Sequence, residues 1–313
     1  MSILIIAGPT ASGKSALALA LAEALGGTVI NADSMQVYRD LRVLTARPDP
    51  AAEARAPHRL YGVIDAAEAC SAGRWRGMAL AEIAAARAEG RLPLLVGGTG
   101  LYLHALLHGL APVPPVPAAV RAEARALHAA LGGAAFRARL AARDPEAAAR
   151  LAPGDTQRLV RAWEVVAATG RTLGEWQRAA GPEGAIADAA AIVLRPPRAA
   201  LYAACDSRLA AMLEAGAVEE VAALLARGLA PALPAMKAVG VREIAALVRG
   251  ETTRAAALAA AQQATRRYAK RQMTWLRHRM AGLRQHAIDE QYSESLLPGI
   301  LSFIRRSLLT GRN

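Results

Sequence analysis

The feature that most constrains this chain is the octapeptide Gly8-Pro9-Thr10-Ala11-Ser12-Gly13-Lys14-Ser15. It fits the pattern G-x-x-x-x-G-K-S and lies between an apolar, β-branched run at Ile3–Ala7 and an alanine- and leucine-rich run at Lys14–Leu25. Glycines let backbone amides surround a phosphate group, and the N-terminus of the following helix adds positive potential. In this pattern the Lys14 ammonium binds phosphate and the Ser15 hydroxyl ligates Mg²⁺. We therefore expect a diphosphate-binding loop that follows a buried strand.

Two later runs of strand length end in polar residues. Asp33 follows the run 28–32, and Thr99 follows the run 92–96 within Gly-Gly-Thr-Gly. Because ligands of parallel sheets bind at the carboxyl ends of strands, both side chains are expected to face the bound phosphate. The later run lacks the carboxylate that a nucleotide hydrolase or kinase uses for Mg²⁺. On local sequence alone, Asp33 could instead cap a helix and Thr99 could be a turn residue.

The alternation of strands and helices predicts an α/β fold, a P-loop parallel-sheet core with an inserted all-helical domain. The proline-rich run 112–117 cannot continue a helix, 118–178 has a helical pattern rich in arginine, and 192–194 resumes the sheet. Further helices are expected at 198–227, 241–249 and 252–280. The predicted domains are a core at 1–111 and 186–289, a helical insertion at 112–185 and a tail at 290–313.

The chain is strongly basic, with a formal net charge of +12 and a pI near 10.7. Such a charge favours polyanionic partners, nucleic acid above all, although an arginine-rich composition alone would also produce it. Lysine occurs only at positions 14, 237 and 270, which makes these candidates for sites that need a compact ammonium. Two distant cysteines, no signal peptide and no membrane-spanning run predict a cytoplasmic protein without a disulfide framework or zinc site.

The predicted C-terminal helix combines arginines with aromatic residues. Tyr268, Arg271, Trp275 and Arg279 recur at steps of three to four residues, so they are expected to share a helix face. Arginine beside aromatic side chains suits phosphate contacts and base stacking, whereas a solvated face with Trp275 in the core fits the spacing equally well. Basic runs at 236–242 and 157–161 are two further candidate nucleic-acid contacts.

Five stretches together resemble the bacterial tRNA dimethylallyltransferases, also called tRNA isopentenyltransferases. They are 8–15, 33–38 (DSMQVY), 94–102 (LLVGGTGLY), 155–161 (DTQRLVR) and 270–277 (KRQMTWLR), and the turn at 236–242 also fits. They run in order over nearly the whole chain, from about residue 3 to 289. Two positions depart from the family, since Leu44 and Arg47 replace the glycine and lysine of Gly-Thr-Ala-Lys-Pro. The tail at 290–313 has no family counterpart that we can place.

The resemblance implies transfer of a dimethylallyl group from dimethylallyl diphosphate to the N6 amine of adenosine-37, just 3′ of the anticodon. Asp33 would be the general base, and Thr99 would hydrogen-bond near the reacting centre. The loop amides, Ser12, Lys14 and Mg²⁺ on Ser15 would neutralise the leaving diphosphate. The adenine would have to leave its stack to reach them. The implied cofactor is Mg²⁺, the implied partner is the tRNA anticodon stem-loop, and we expect a monomer.

By the same resemblance, a larger set of residues is expected to contact the tRNA. They are Asp33, Ser34, Met35, Gln36, Thr99, Arg121, Gln157, Arg158, Leu159, Val160, Arg161, Lys237, Ala238, Val239, Gly240, Val241, Arg242, Lys270, Arg271, Gln272, Met273, Thr274, Trp275, Leu276 and Arg277.

Three alternatives stay open at this point. A small-molecule or nucleotide kinase would share the phosphate loop, but it needs an acidic Mg²⁺ ligand and does not need the basic helix. Prenyl transfer to free AMP would share the chemistry, but a mononucleotide offers one phosphate and not a backbone. A non-catalytic RNA-binding protein would use the loop only as an anchor and would not need Asp33 or Thr99.

Overall fold

The computed structural model describes residues 3–179, 186, 188–280 and 283–309, with side chains up to 306. Its strands are β1 (Ile3–Ala7), β2 (Gly27–Asn31), β3 (His58–Arg59), β4 (Leu92–Gly97), β5 (Ala189–Leu194) and β6 (Arg284–Ile288). Its helices are α1 (Lys14–Leu25), α2 (Pro50–Arg55), α3 (Ala72–Ala88), α4 (Gly100–His108), α5 (Ala118–Ala141), α6 (Pro145–Arg150), α7 (Thr156–Thr169), α8 (Leu173–Ala179), α9 (Arg198–Glu214), α10 (Ala217–Ala226), α11 (Val241–Val248), α12 (Arg254–Arg279) and α13 (Leu297–Leu309).

The strands form one parallel sheet in the order β3-β2-β4-β1-β5-β6, which confirms the predicted α/β class. The four inner strands were expected from their apolar runs. The two edge strands were missed, because β3 has only two residues and β6 carries the polar sequence Arg-Gln-His before its apolar end. An edge strand with an exposed face does not need the continuous apolar run that reveals a buried strand.

Side chains of β1 alternate between two hydrophobic cores, one on each face of the sheet. Ile3 and Ile5 belong to the larger core, which includes residues of α3, α4 and α9–α12. Leu4 and Ile6 belong to the smaller core, which includes residues of α1 and α13. All four side chains are fully buried. Coverage of both faces explains why this strand has no polar residue.

The chain divides into two compact units, one made of 1–107 and 186–313 and the other of His108–Ala185. The helical unit therefore begins four residues before the predicted boundary at the proline-rich run 112–117. It contains α5–α8, and residues of α5–α7 form its own core, in which Phe136 and Trp163 pack with ring centroids 5.4 Å apart. The helical pattern predicted at 118–178 is divided among these helices, and Gly132 kinks α5 with a φ of 72°.

The C-terminal segment packs against the phosphate loop and α1. The Gln291 Nε2 donates a hydrogen bond to the Ala11 carbonyl at 2.9 Å. A Cβ on Gly13 would lie 2.8 Å from the Tyr292 Cβ, so these residues are in close contact. Farther along, Ile304 in α13 is buried in the smaller core. In the described part of the chain, no helix is both long enough and apolar enough to cross a membrane.

Candidate active site

The phosphate loop leaves β1 and enters α1 through a left-handed glycine. Gly13 has a φ of 89°, a conformation that favours glycine, and precedes the first helical residue. A Cβ on Gly8 would lie 2.6 Å from the Ser12 Oγ, so only glycine allows the loop to fold this tightly. The Ser12 Oγ is buried and has no hydrogen-bond partner among the described residues. A hydroxyl in this state is available to an incoming anion.

Lys14 supplies a cation with an unusual protonation equilibrium. Its Nζ donates a hydrogen bond to the Pro9 carbonyl at 3.2 Å. The pKa of Lys14 is lowered to about 8, mainly by burial; the Asp33 carboxylate opposes this shift and the Arg208 guanidinium adds to it. Removal of the ammonium from water disfavours its charged form. A bound anion would restore that charge.

Asp33 and Thr99 lie at the ends of the adjacent strands β2 and β4. The Thr99 Oγ1 accepts a hydrogen bond from the Ser34 N–H at 2.9 Å, which joins the two strand ends. The Asp33 Oδ1 accepts from the Met35 N–H at 2.9 Å. Buried Asn31 fixes the turn, since its Oδ1 accepts from the Asp33 N–H at 2.8 Å and its Nδ2 donates to the Asp33 carbonyl at 3.0 Å. Asn31 was not among the predicted site residues.

A cavity of about 210 Å³ connects these elements. It contains one carboxylate, Asp33, and three cationic side chains, Arg208, Lys237 and Arg271. The lining residues are Thr10, Asp33, Ser34, Met35, Leu44, Thr45, Cys205, Arg208, Leu209, Met212, Lys237, Ala238, Val239, Thr265, Tyr268 and Arg271. The structure thus places the predicted acid beside the phosphate loop and beside the basic turn and helix.

Arg208 is a functional candidate that the sequence did not reveal. It lies on α9 and donates a hydrogen bond to the Thr10 Oγ1 of the phosphate loop. Burial lowers the pKa of its guanidinium, although an arginine stays charged at neutral pH. The sequence could not identify Arg208 because nothing near it distinguishes it from the other arginines. Only the packing of α9 brings it to the phosphate loop.

The face of α12 that meets the site is only partly the predicted one. Tyr268 and Arg271 both line the main cavity, as their shared face predicts, whereas Gln272, which the prediction left off this face, is buried beside them. A Cβ on Gly100 would lie 2.3 Å from the Trp275 ring, so this ring packs directly on the turn after β4. Arg271 is exposed beside the Tyr268 ring, with its Cζ 5.6 Å from the ring centroid. Burial raises the pKa of the Tyr268 hydroxyl.

A second cavity, of about 170 Å³, lies on another side of α12. Lys270, Thr274 and Arg277 line it from α12, and Arg198 and Tyr202 line it from α9. The Arg198 Cζ lies 5.0 Å from the centroid of the Tyr202 ring. Cationic side chains therefore line cavities on two sides of α12.

The burial of individual residues limits which of the predicted RNA contacts a side chain can make. Eight of the positions are buried and have little surface to offer an RNA: Leu159, Val160, Ala238, Gly240, Val241, Gln272, Met273 and Leu276. The prediction of side-chain contact now concerns the half-buried and exposed positions, which are Asp33, Ser34, Met35, Gln36, Thr99, Arg121, Gln157, Arg158, Arg161, Lys237, Val239, Arg242, Lys270, Arg271, Thr274, Trp275 and Arg277. Arg121 and the run 157–161 belong to the separate helical unit.

The loop that contains Leu44 and Arg47, the two positions that depart from the family pattern, is held by internal hydrogen bonds. The Glu220 carboxylate of α10 accepts from the backbone N–H groups of Val43 at 2.8 Å and Leu44 at 2.9 Å. The Gln36 Nε2 donates to the carbonyls of Thr45 at 2.8 Å and Ala46 at 2.9 Å. Gln36, a predicted RNA contact, therefore fixes the loop that lines the main cavity.

A parallel sheet, a phosphate loop and a carboxylate at the neighbouring strand end define a phosphate-loop α/β protein with a cationic cavity. The family model described as IPP transferase matches residues 36–279. A tRNA dimethylallyltransferase of Rhodospirillum centenum is 63% identical over 286 residues, 90% of each chain. One of Phenylobacterium zucineum is 62% identical over 288 residues, 92% of this chain and 93% of the relative.

A solved structure agrees with these relatives. The crystal structure of the full-length tRNA isopentenylpyrophosphate transferase of Bacillus halodurans superposes with a TM-score of 0.72 at 31% identity. The match covers 99% of this chain and 97% of that chain. The chain belongs to the IPP transferase family, and the resemblance found in its motifs is confirmed.

Proposed function

We propose that this protein transfers a dimethylallyl group from dimethylallyl diphosphate to the N6 amine of an adenosine in tRNA. The observation that carries the proposal is the cavity in which Asp33 lies beside a phosphate loop and three cations, in a member of the IPP transferase family. The relatives at 62–63% identity are named tRNA dimethylallyltransferase, a name that gives the transferred group and the class of acceptor. The acceptor we propose is adenosine-37, beside the anticodon.

The donor diphosphate would bind the loop from Gly8 to Ser15. Lys14 and Arg208 would neutralise its charge, and the unpartnered Ser12 hydroxyl would donate to one of its oxygens. Preorganised donors of this kind stabilise the charge that grows on a leaving group. Thr99, next to Asp33, would hydrogen-bond at the reacting end of the donor or to the amine.

The loop also fits Mg²⁺, which binds oxygen ligands and takes most of them from water and substrate phosphates. The Ser15 side chain is exposed in the first turn of α1 and could hold the ion there. Across the described ranges, no cluster of three or more His, Cys, Asp or Glu side chains could hold a metal without the substrate. When bound, Mg²⁺ would add positive charge at the diphosphate.

Asp33 would act as the general base. As the N6–C1 bond forms, the C1–O bond of the donor breaks, the N6 proton passes to the Asp33 carboxylate and diphosphate leaves. An exocyclic adenine amine is a weak nucleophile because its lone pair is delocalised into the ring, so removal of this proton assists the reaction. The hydrogen bond that Asp33 Oδ1 accepts from the Met35 N–H, at 2.9 Å, orients the carboxylate.

The tRNA would approach the cationic side of the cavity. Lys237, Arg242, Lys270, Arg271 and Arg277 are exposed and would contact the phosphates of the anticodon stem-loop. The adenine would leave its stack to enter the cavity, as substrates of other base-modifying enzymes do. We also propose tRNA contacts for Arg121 and for the exposed residues of 157–161 in the helical unit.

The acceptor is tested by competition. With labelled dimethylallyl diphosphate, tRNA and AMP in one reaction, we expect one diphosphate released per prenyl group found in RNA and no label in AMP. Label in AMP would move the function to mononucleotide prenylation. Consumption of ATP without any prenyl transfer would instead identify a kinase.

Donor capture should decline as pH rises through about 8. The folded pKa of Lys14 is lowered to about 8, so the ammonium that binds diphosphate is lost above that pH. We expect kcat/KM for the donor, at saturating tRNA, to fall by up to about tenfold per pH unit there. Lys14→Arg is the control, because a guanidinium stays charged and should remove this limb of the profile. An identical decline in both proteins would contradict the assignment.

Changing Lys270 and Arg271 together to alanine should weaken tRNA binding. Each phosphate contact contributes about 0.7–0.9 to the slope of log affinity against log salt, so the slope should fall by about 1–2. The control is the pair Arg87→Ala and Arg91→Ala. These two residues precede β4 and lie near its amino end, whereas the cavity lies at the carboxyl ends of the strands. An unchanged slope in the α12 variant would mean that this face is only solvated.

A further inference from the structure

One buried amide joins the two loops of the proposed site. The Gln272 Oε1 accepts a hydrogen bond from the Thr10 N–H at 2.8 Å, and its Nε2 donates to the Gly98 carbonyl at 3.0 Å. Gln272 is only 5% exposed. Both ends of the side chain are therefore occupied by the phosphate loop and by the turn that carries Thr99.

The backbone around this amide leaves no room for another arrangement. A Cβ on Gly98 would lie 2.3 Å from the Gln272 Nε2 and 2.7 Å from the Gly8 carbonyl oxygen. Gly98 therefore allows the phosphate loop, the turn after β4 and the side chain of α12 to meet at one point. A close contact of this kind fixes the separation of the two loops.

The chemistry of the contact is specific to an amide. One planar group must accept from an N–H and donate to a carbonyl, which glutamine does. Glutamate accepts but cannot donate when ionised, so its carboxylate would face the Gly98 carbonyl without a hydrogen. Methionine has a similar length but replaces both hydrogen bonds with apolar contacts. Each substitution leaves a buried backbone group without its partner, which is unfavourable.

The rest of α12 connects this amide to the basic surface. Tyr268, one turn earlier, lines the main cavity with Asp33, and Trp275, one turn later, packs on Gly100. Lys270 and Arg271 are exposed on the same helix. The helix thus presents cations to solvent and contacts the turn after β4 through Gln272 and Trp275.

We propose that Gln272 is a positioning residue, which sets the phosphate loop and the Thr99 turn at the separation needed for prenyl transfer and makes no contact with RNA. This inference rests on the proposed function. It assigns to Gln272 a different role from that of its exposed neighbours, Lys270 and Arg271. Displacement of reacting groups by about 1 Å can lower a rate by about 10²-fold, so a fixed separation matters.

The test compares Gln272→Glu with Gln263→Glu, since Gln263 is an exposed glutamine on the same helix. For Gln272→Glu we expect kcat to fall by about 10- to 100-fold. We expect inorganic diphosphate to bind at least about tenfold more weakly, because the Thr10 N–H belongs to the phosphate loop. The affinity for an anticodon stem-loop RNA and its salt slope should match the wild type. Gln263→Glu should leave catalysis and diphosphate binding unchanged.

Gln272→Met keeps the test decisive if the buried carboxylate prevents folding. It should fold, as judged by circular dichroism and thermal unfolding, and should show the same loss of kcat and diphosphate affinity. A weaker RNA affinity with kcat unchanged at saturating RNA would overturn the inference in favour of an RNA contact. Failure of both variants to fold would also overturn it. A wild-type protein without prenyl transfer would instead refute the proposed function itself.

Discussion

Asp33→Asn is expected to lower kcat for prenyl transfer by about 10³-fold, within the range ascribed to general bases. The amide has nearly the shape of the carboxylate and still accepts from the Met35 N–H, so the turn after β2 should keep its geometry. What is lost is the ability to take the N6 proton. Donor and tRNA affinities should stay within about twofold, because no contact to either is removed.

The control for this substitution is Asp49→Asn. Asp49 also accepts a backbone N–H, from Ala52 at 2.7 Å, but it caps α2 and does not line the cavity. Single-turnover rates of both variants, measured with tRNA saturating, separate chemistry from binding. An Asp33→Asn protein with the rate of the wild type would show that another group, or water, removes the proton.

Lys14→Met should have the second largest effect, a fall of about 10²- to 10³-fold in kcat/KM for the donor. The Lys14 ammonium is the cation of the phosphate loop itself. A methionine side chain has a similar length but no charge. Both binding and departure of diphosphate should suffer, so KM for the donor should rise while kcat falls. The affinity for tRNA should not change.

Arg208→Met is the matched comparison, because it also removes a buried cation beside the loop. We expect a smaller loss in kcat/KM, since Arg208 contacts the Thr10 side chain and Lys14 lies within the loop. Steady-state kinetics with the donor varied at saturating tRNA measure both. A normal KM and kcat for Lys14→Met would show that the diphosphate does not bind at this loop. The proposed orientation of the donor would then be wrong.

The sequence predicted the parts of this site that depend on neighbours in the chain. The phosphate loop, the inner strands and the acid at the end of β2 each have a local signature, a glycine pattern, an apolar run or a polar residue after one. The class of fold and the family followed from them. Local patterns succeed here because the backbone conformation of the loop is itself a local property.

The parts that were missed depend on tertiary packing. Arg208 reaches the phosphate loop only because α9 packs beside it. Gln272 was expected to contact the tRNA, and only the packing of α12 shows that it is buried and bonded to the phosphate loop. Asn31 is the last residue of β2, and a polar residue there gives no indication of the turn that it stabilises. In α12 the spacing placed Tyr268 and Arg271 together at the cavity, but it could not show that the neighbouring Gln272 is buried.

The most direct test of the central claim is label transfer from radioactive dimethylallyl diphosphate, with Mg²⁺, to two otherwise identical tRNA transcripts. One has adenosine at position 37 and the other has guanosine there. We predict label in the first RNA only, recovered after digestion as the N6-prenylated nucleoside. Equal label in both RNAs, or none in the first under conditions in which diphosphate binds, would contradict transfer to the adenosine beside the anticodon.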